Sequence, residues 1–377
     1  MAVYLDNSAT TKPCREAVEA VNYMMTENFG NPSSLHTPGI EAAKSLISAR
    51  EAIARALGCE KDEIYFTSGA TEANNLALFG AAAAKRRAGN RIVTTAIEHE
   101  SVVAAADELE KQGFEVIRLM PDKHGNISAA DFAEAINDKT ILVSAMYINN
   151  EIGSIMPIGK IKKIIEMKKA PALFHTDCVQ AFGKVKINPR KLGADMISVT
   201  AHKIHGPKGT GALYIKKGTR ILPRVFGGEQ EKRMRPGTEA SPLIAGFGAA
   251  AAALPDTEMQ SQAVSGLNSY LRELLSKIDG IQFNSDENAS PYILNVYVPT
   301  FMRSQTIVQE LSSKYEVYVS NGSACAKGKK SHVLAAMHLS DEIADKSIRI
   351  SFSRFNTKQD CKICAAAIKD LTEKHPR

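Results

Sequence analysis

Several features that define whole classes of protein are missing from this sequence. Its 377 residues contain no apolar run of the roughly 20 residues that a membrane span needs. The region near Met1 shows no positive charge followed by an apolar stretch, so we expect no secretory leader. Blocks of about five or six like charges are also absent, and the formal net charge of +6 is modest for this length. We therefore expect a cytoplasmic protein with no membrane segment and no direct nucleic-acid partner.

Cysteine is scarce as well. Six cysteines are too few for a disulfide framework in a chain of 377 residues, and they suit a reducing compartment. Cys361 and Cys364 have the spacing of half a metal site, but no second pair of ligands accompanies them, so no resident metal is predicted. We interpret five of the six as structural thiols: Cys14, Cys59, Cys178, Cys361 and Cys364.

Strand-like apolar runs alternate with amphipathic helical patterns through the middle of the chain. This alternation predicts an α/β fold with a mostly parallel sheet covered by helices on both faces. A later mixture of strands and helices predicts a smaller α+β domain. The expected organisation is an N-terminal segment 1–15 packing with the small domain, a large domain 16–250 and a small domain 251–377. The seven runs of the sheet are 63–67, 91–97, 115–120, 140–148, 172–176, 196–200 and 211–215.

Polar residues follow the ends of these predicted strands, which is where α/β sheets bind their ligands. The turn Ser68-Gly69-Ala70-Thr71 opens a helix whose N-terminal N–H groups could hold a phosphate, although such a turn can also serve only to reverse the chain. Taken singly, the residues after the other strands have ordinary structural roles as caps or core residues. Their shared position favours a ligand site built from His99, Asn149, Asp177 and Gln180.

A lysine stands at the end of another predicted strand, in the run Thr200-Ala201-His202-Lys203. Lysine is normally a surface residue, so one that leaves a buried strand beside a histidine needs an explanation. A Schiff base between Lys203 and pyridoxal phosphate supplies it. Asp177 would then pair with the pyridinium nitrogen, His99 would stack on the ring, and Ser and Thr hydroxyls would hold the phosphate.

Ten segments, in order along nearly the whole chain, resemble the cysteine desulfurase family of NifS/IscS type. This family belongs to the class V aminotransferases, which have the fold of type I pyridoxal-phosphate enzymes. The matching segments are 4–11, 30–36, 66–75, 98–102, 149–153, 175–177 with 179–181, 201–203 with 206–209, Arg235 with 237–239, 322–325 and 348–351.

The resemblance implies roles for individual residues. Lys203 would carry the cofactor, and Asn149 and Gln180 would lie near its phenolic oxygen or the substrate. Arg349 would bind the substrate carboxylate, which suits its planar and permanently charged fork, although a structural ion pair is the common alternative. Family members are homodimers in which a threonine matching Thr238 reaches the cofactor phosphate of the other subunit. Within one subunit the phosphate would be held by Ala70, Thr71, Thr200 and His202.

Cys325 is the residue that decides the chemistry. Its small neighbours predict a loop that could bring the thiol to the cofactor, and the resemblance makes it the nucleophile that takes sulfur from L-cysteine. The products would be L-alanine and a persulfide on Cys325. The sulfur would pass to an acceptor protein such as an iron–sulfur scaffold or a tRNA-thiolation enzyme, and transient ligation of a cluster by Cys325 stays open.

Two departures from the family pattern and two rival functions accompany this prediction. Ala240 replaces the asparagine usual after Gly-Thr-Glu, and the segment between Cys325 and His332 is shortened and basic, which leaves the choice of acceptor open. A selenocysteine lyase or an aminotransferase of the same fold is the near alternative. A non-catalytic scaffold on a degenerate enzyme fold is the distant one, and the intact set of Lys203, Asp177 and His99 argues against it.

Overall fold

The computed structural model describes residues 2–322 and 331–376. Its strands are β1 Val3–Tyr4, β2 Ile64–Thr67, β3 Arg91–Thr95, β4 Glu115–Leu119, β5 Thr140–Ser144, β6 Leu173–Asp177, β7 Met196–Thr200, β8 Gly211–Ile215, β9 Gln282–Phe283, β10 Ile293–Tyr297, β11 Val317–Tyr318 and β12 Ser347–Ser351. Its α-helices are α1 Arg15–Thr26, α2 Thr37–Leu57, α3 Ala70–Lys85, α4 Glu100–Lys111, α5 Ala129–Ala135, α6 Ile158–Met167, α7 Pro189–Leu192, α8 Ser241–Ala252, α9 Thr257–Leu275, α10 Ser304–Tyr315, α11 His332–Ala336, α12 Asp341–Lys346 and α13 Lys358–Lys374.

Strands β2 to β8 form one sheet in the order β2-β8-β7-β6-β5-β3-β4. The pairs β7–β6, β6–β5, β5–β3 and β3–β4 are parallel, whereas β8 runs antiparallel to both of its neighbours. The prediction of a mostly parallel sheet is therefore confirmed, and each of the seven predicted runs overlaps one of its strands. Parallel strands are covered by helices on both faces, and β5, β6 and β7 are accordingly buried throughout. The antiparallel β8 is buried throughout as well.

Helix α3 crosses the sheet and supplies much of one apolar layer. Its buried face carries Ala73, Leu76, Ala77 and Phe79, which pack with Val102 of α4. A larger cluster lies on the other side of the sheet and includes residues of α2, α6 and α8. These two layers fix the start of α3 beside the ends of β6 and β7, which places the site described below.

A second, three-stranded sheet has the order β12-β10-β9 with antiparallel pairing. The N-terminal segment joins this region, because β1 pairs in parallel with β11 and the Ser351 N–H donates to the Leu5 carbonyl over 2.7 Å. The same segment also reaches the large sheet, since the Thr11 N–H donates to the His202 carbonyl over 2.9 Å. The division into domains at residue 250 stays a prediction.

The helices also bear on whether the chain could cross a membrane. Within residues 2–322 and 331–376, none combines the length and the apolar character that crossing a bilayer demands.

Candidate active site

A cavity of about 960 Å³ opens where the parallel strands end. It is bounded by the start of α3, by the N-terminal segment, and by side chains that follow β3, β6 and β7. The position is the one expected for a ligand in an α/β sheet, because the loops after neighbouring parallel strands converge there. Nine residues predicted from the sequence line it: Ala70, Thr71, His99, Asp177, Gln180, Thr200, His202, Lys203 and Arg349.

One wall of the cavity is the first turn of α3. Gly69 precedes the helix with φ 155° and ψ −179°, a conformation that is essentially confined to glycine. A Cβ on Gly69 would meet no atom within 4 Å, so the cavity reaches the backbone itself. The first N–H groups of a helix have no partner within it, and the helix dipole makes this end positive. This wall is suited to an anion such as a phosphate.

Two charged residues hold that wall in place. Glu72 Oε2 accepts from the Ser68 N–H over 2.7 Å, and Glu72 Oε1 accepts from Arg235 Nε over 2.8 Å. These contacts hold the pKa of the Glu72 carboxyl below its usual range despite its burial. The loop after Arg235 carries Thr238, which is exposed and does not line the cavity of its own chain.

Asp177 ends β6 and lies buried at the cavity. Its Oδ1 accepts from the Val179 N–H over 2.9 Å, and its Oδ2 accepts from Asn74 Nδ2 over 2.8 Å. Asn74 Nδ2 also donates to Ser101 Oγ over 2.9 Å. The carboxylate is thereby oriented by a backbone amide and by a side chain of α3, which suits it to receive a hydrogen bond from a protonated ring nitrogen.

His99 caps the N-terminus of α4 and is oriented by this position. Its Nδ1 accepts from the Ser101 N–H over 3.1 Å and lies 2.9 Å from Ser101 Oγ. Because a backbone N–H can only donate, the neutral ring carries its proton on Nε2. Burial lowers the pKa of His99, with the charge of Asp177 acting in the opposite direction. The neutral imidazole can therefore exchange a proton with a ligand in the cavity.

Lys203 ends the short 3₁₀ turn Ala201–Lys203 that follows β7. Its Nζ donates to the carbonyls of Ser8 and Ala9, at 2.7 Å for Ala9, so the N-terminal segment lies against the amine. His202 beside it is neutral, because burial and the charge of Lys203 lower its pKa to about 3. Lys203 lines the cavity, where its Nζ is placed beside any ligand bound there, and the neutral imidazole adds no charge of its own.

Gln180 is held from two sides. Its Nε2 donates to the Ser8 carbonyl over 3.0 Å, and its Oε1 accepts from Lys184 Nζ over 2.9 Å. The Ser8 carbonyl thus accepts from both Gln180 and Lys203. One backbone oxygen of the N-terminal segment links two of the predicted site residues.

Arg349 is 2% exposed and is the largest fully buried side chain in the described part of the chain. Its guanidinium pairs with Asp6 Oδ1 at 3.0 Å and donates to the carbonyls of Asn150 and Gly322 at 2.8 and 3.2 Å. Its Nε is buried and has no hydrogen-bond partner among the described atoms. The sequence left an ion pair and a carboxylate site as alternatives, and the structure has the ion pair at a side chain that also lines the cavity.

Asn149 is not brought to the cavity wall. The strand predicted over 140–148 ends at Ser144, because the chain then turns and Ile148 pairs instead with Ile155. The Asn149 side chain is hydrogen-bonded at this turn. Its Nδ2 donates to the Ile97 carbonyl and its Oδ1 accepts from the Glu151 N–H, each over 2.8 Å. Its neighbour Asn150 lines the cavity. A ligand role for Asn149 stays a prediction.

Cys325 lies outside the described residues. The chain on either side of the undescribed stretch is at the cavity, since Gly322 and His332 both line it. His332 Nε2 donates to the Glu98 carbonyl over 2.9 Å.

Several contributors to the site were not predicted as such, namely Asp6, Ser8, Asn74, Lys184 and His332. Lys184 carried a usable signal, because it is a charged residue that follows the buried run 181–183. Asn74 carried little, since it stands beside Asn75 and close to Glu72. Asp6 and Ser8 gave none, since their partners lie some two or three hundred residues away along the chain.

The chain was compared with known proteins. A family model described as Aminotransferase class-V matches residues 3–363. The cysteine desulfurase IscS of Methanosarcina thermophila is 42% identical over 378 residues, which span 99% of this chain and 92% of that protein.

Two solved structures resemble the fold over almost its full length. A NifS-like protein superposes with a TM-score of 0.92 at 35% identity, covering 99% of this chain and 100% of that one. SspA, solved in complex with cysteine, superposes with a TM-score of 0.83 at 34% identity, covering 94% of this chain and 100% of that one.

Proposed function

The chain belongs to the class V aminotransferase family and is a cysteine desulfurase, and we propose that it uses pyridoxal phosphate bound to Lys203 to take sulfur from L-cysteine. The observation that carries this proposal is the meeting of Lys203, Asp177, His99 and Arg349 around one cavity. SspA, which shares the fold, was solved with cysteine, and this supports the choice of substrate.

The residues present fit this cofactor. The open backbone at Gly69 and the first turn of α3 would hold the phosphate, with Thr71 beside them. Asp177 would accept a hydrogen bond from the ring nitrogen, and the Lys203 amine would be bonded covalently to the cofactor. When bound, the cofactor supplies an electron sink for bonds broken at the substrate's Cα and Cβ.

Arg349 would orient the substrate. Arg349 lines the cavity, and its planar, charged guanidinium is suited to bind a carboxylate that enters there. The Lys203 amine would move the Cα proton of L-cysteine. His99 would exchange a proton with the substrate thiol through Nε2, since Nδ1 is occupied by Ser101.

We propose Cys325 as the sulfur acceptor within the enzyme. The five described cysteines are all free thiols whose pKa is raised, in each case mainly by burial. They are therefore poor nucleophiles near neutral pH. Attack of the Cys325 thiolate on the substrate sulfur forms an S–S bond while the Cβ–S bond breaks. The electron pair stays on Cβ, which is then protonated, so that L-alanine and a persulfide result.

The assembly would be a homodimer. Three large apolar side chains are strongly exposed, Leu35 at 94%, Phe226 at 83% and Phe29 at 73%, which marks surface that a partner could cover. Thr238 is exposed outside its own cavity, as a residue serving a second subunit would be. Light scattering on the purified protein tests this, because a monomeric mass at micromolar concentration contradicts it.

The sulfur would leave to an acceptor protein such as an iron–sulfur scaffold or a tRNA-thiolation enzyme. A cytoplasmic location is proposed because the described cysteines are unpaired thiols, which suits a reducing compartment.

The decisive experiment is a product assay. The protein loaded with pyridoxal phosphate is incubated with L-cysteine and a thiol reductant, and alanine and sulfide are quantified. Equal amounts of both support the proposal, and so does a mass increase of one sulfur atom on the peptide that contains Cys325 when the reductant is omitted. A keto acid in place of alanine indicates an aminotransferase, and turnover of selenocysteine without cysteine indicates a selenocysteine lyase.

A further inference from the structure

Lys184 is a buried ammonium group that the proposed chemistry does not use. It is 5% exposed, and its Nζ donates to Gln180 Oε1 over 2.9 Å and lies 5.5 Å from the ring centroid of Tyr292. No carboxylate of the described residues lies within ion-pair distance of it. Burial lowers the pKa of Lys184 to about 7, and the charges of Lys203 and Arg349 act in the same direction. Burying the charged form of Lys184 without a carboxylate partner is energetically unfavourable, so we expect this side chain to have a function.

The contact with Gln180 has a fixed direction. The protonated side chain of Lys184 can only donate hydrogen bonds, and in the structure its Nζ donates to the carbonyl oxygen of Gln180. The NH₂ group then lies on the other side, where it donates to the Ser8 carbonyl over 3.0 Å. An inverted amide would set N–H donors against the ammonium and would leave the Ser8 carbonyl facing another oxygen.

The NH₂ group has two hydrogens, and the Ser8 carbonyl accepts one of them. Gln180 lines the cavity, and the Ser8 carbonyl also accepts from Lys203 Nζ. Lys184, Gln180, Ser8 and Lys203 therefore form one chain of hydrogen bonds that ends at the amine proposed to hold the cofactor.

We propose that Lys184 is a positioning residue that fixes the Gln180 amide with its NH₂ group toward the cavity, so that an N–H donor meets the oxygen substituent of a ring bound at Lys203. This inference rests on the proposed function. Lys184, which does not line the cavity, would thus determine that Gln180, which does, presents a hydrogen-bond donor to it.

The test is a pH titration of the visible absorbance of the protein loaded with pyridoxal phosphate. A donor at the ring oxygen and a nearby positive charge both favour the deprotonated chromophore. Lys184→Met keeps the length of the side chain and removes both effects, so the apparent pKa of the chromophore is expected to rise by about one unit. Lys184→Arg retains the charge and the donor and is expected to stay close to the wild type.

Matched variants separate orientation from other effects. Lys186 is exposed two residues further along, and Lys186→Met is expected to leave the titration unchanged. In the Gln180→Leu background Lys184→Met removes only the charge, so if Lys184 also acts through Gln180, the shift caused by Lys184→Met should be smaller there than in the wild-type background. Should Lys184→Met not fold, Lys184→Leu, which is also neutral and has no donor, replaces it in both comparisons.

Two results would overturn the inference, and they differ from a failure of the proposed function. If the chromophore of Lys184→Met has the same apparent pKa as that of the wild type, Lys184 does not act on the bound ring. Additive shifts in the double variant show that it acts without Gln180. If the wild-type protein itself gains no visible absorbance with pyridoxal phosphate, the proposed function fails and this inference falls with it.

Discussion

Asn74 Nδ2 donates to Asp177 Oδ2 over 2.8 Å and to Ser101 Oγ over 2.9 Å. Ser101 in turn holds Nδ1 of His99 through its backbone N–H. One amide on α3 therefore connects the carboxylate at the end of β6 with the histidine that caps α4. The two side chains expected to act on opposite parts of a ligand are oriented by a single buried group.

Asp177→Asn is expected to lower kcat by about 10- to 1,000-fold while leaving the cofactor bound. A neutral amide no longer raises the pKa of the ring nitrogen, and a carboxylate partner contributes roughly 1–3 pKa units. Steady-state kinetics and the visible spectrum of the purified variant measure both effects. Asp107→Asn on the exposed side of α4 serves as the control and should behave as wild type. An unchanged kcat in Asp177→Asn contradicts the assignment.

Arg349→Lys is expected to raise the KM for L-cysteine by about 10- to 100-fold, because an ammonium cannot offer two parallel donors to a carboxylate. The same variant should lose free energy of unfolding, since Arg349 also pairs with Asp6 and holds two backbone carbonyls. Asp6→Asn weakens the ion pair but keeps the guanidinium. If the KM of Arg349→Lys equals the KM of Asp6→Asn, Arg349 only stabilises the fold and does not bind the substrate.

Cys325→Ser is expected to abolish sulfide and alanine formation and to retain the cofactor spectrum, because a hydroxyl cannot take sulfur from cysteine. Cys59→Ser is the matched control. Burial raises the pKa of the Cys59 thiol to about 12, so its removal should leave turnover unchanged. Persulfide found by mass spectrometry on a cysteine other than Cys325 would reassign the nucleophile.

Glu98 predicts a pH dependence of stability. Its side chain is fully buried, with Oε1 accepting from Thr95 Oγ1 and the Met146 N–H, and burial raises its pKa to about 8. Between about pH 4.5 and 8 the folded chain therefore binds one proton more than the unfolded chain. The contribution of Glu98 to the free energy of unfolding should fall by about 1.4 kcal/mol per pH unit as the pH rises through this window.

Urea unfolding of the wild type and of Glu98→Gln at pH 5, 6, 7 and 8 measures this dependence. The difference between the two proteins should change with pH in favour of the variant as the pH rises. Glu110→Gln, at an exposed position of α4, should show no such trend. Parallel curves for the wild type and Glu98→Gln would mean that the buried carboxyl does not titrate in this range.

Much of the fold and of the site could be predicted from the sequence. Strand runs such as 196–200 and 211–215 have the limits that the structure shows, because short buried strands are bounded by turn residues. Asp177 is the last residue of a parallel strand, and Lys203 and His99 come shortly after two others, whose ends meet at one edge of a sheet. Their meeting was therefore a consequence of topology, and the structure has them around one cavity.

The remaining features depend on contacts that no local pattern encodes. The apolar run through Ile148 is continuous in sequence, yet the strand ends at Ser144, because the chain turns to pair Ile148 with Ile155. The use of Asn149 inside that turn follows from the same geometry. The pairing of Asp6 with Arg349 joins opposite ends of the chain and requires tertiary structure.

The N-terminal segment has a consequence for biosynthesis. Ser8 donates its N–H to Ser351 Oγ, which lies 343 positions later in the chain, and the Ser8 carbonyl covers Lys203. A nascent chain on the ribosome has therefore made residue 8 long before its lasting neighbours emerge from the exit tunnel. The cavity can be assembled only after residue 351 has been translated, so the proposed vitamin-derived group would be captured after that point rather than by a shorter growing chain.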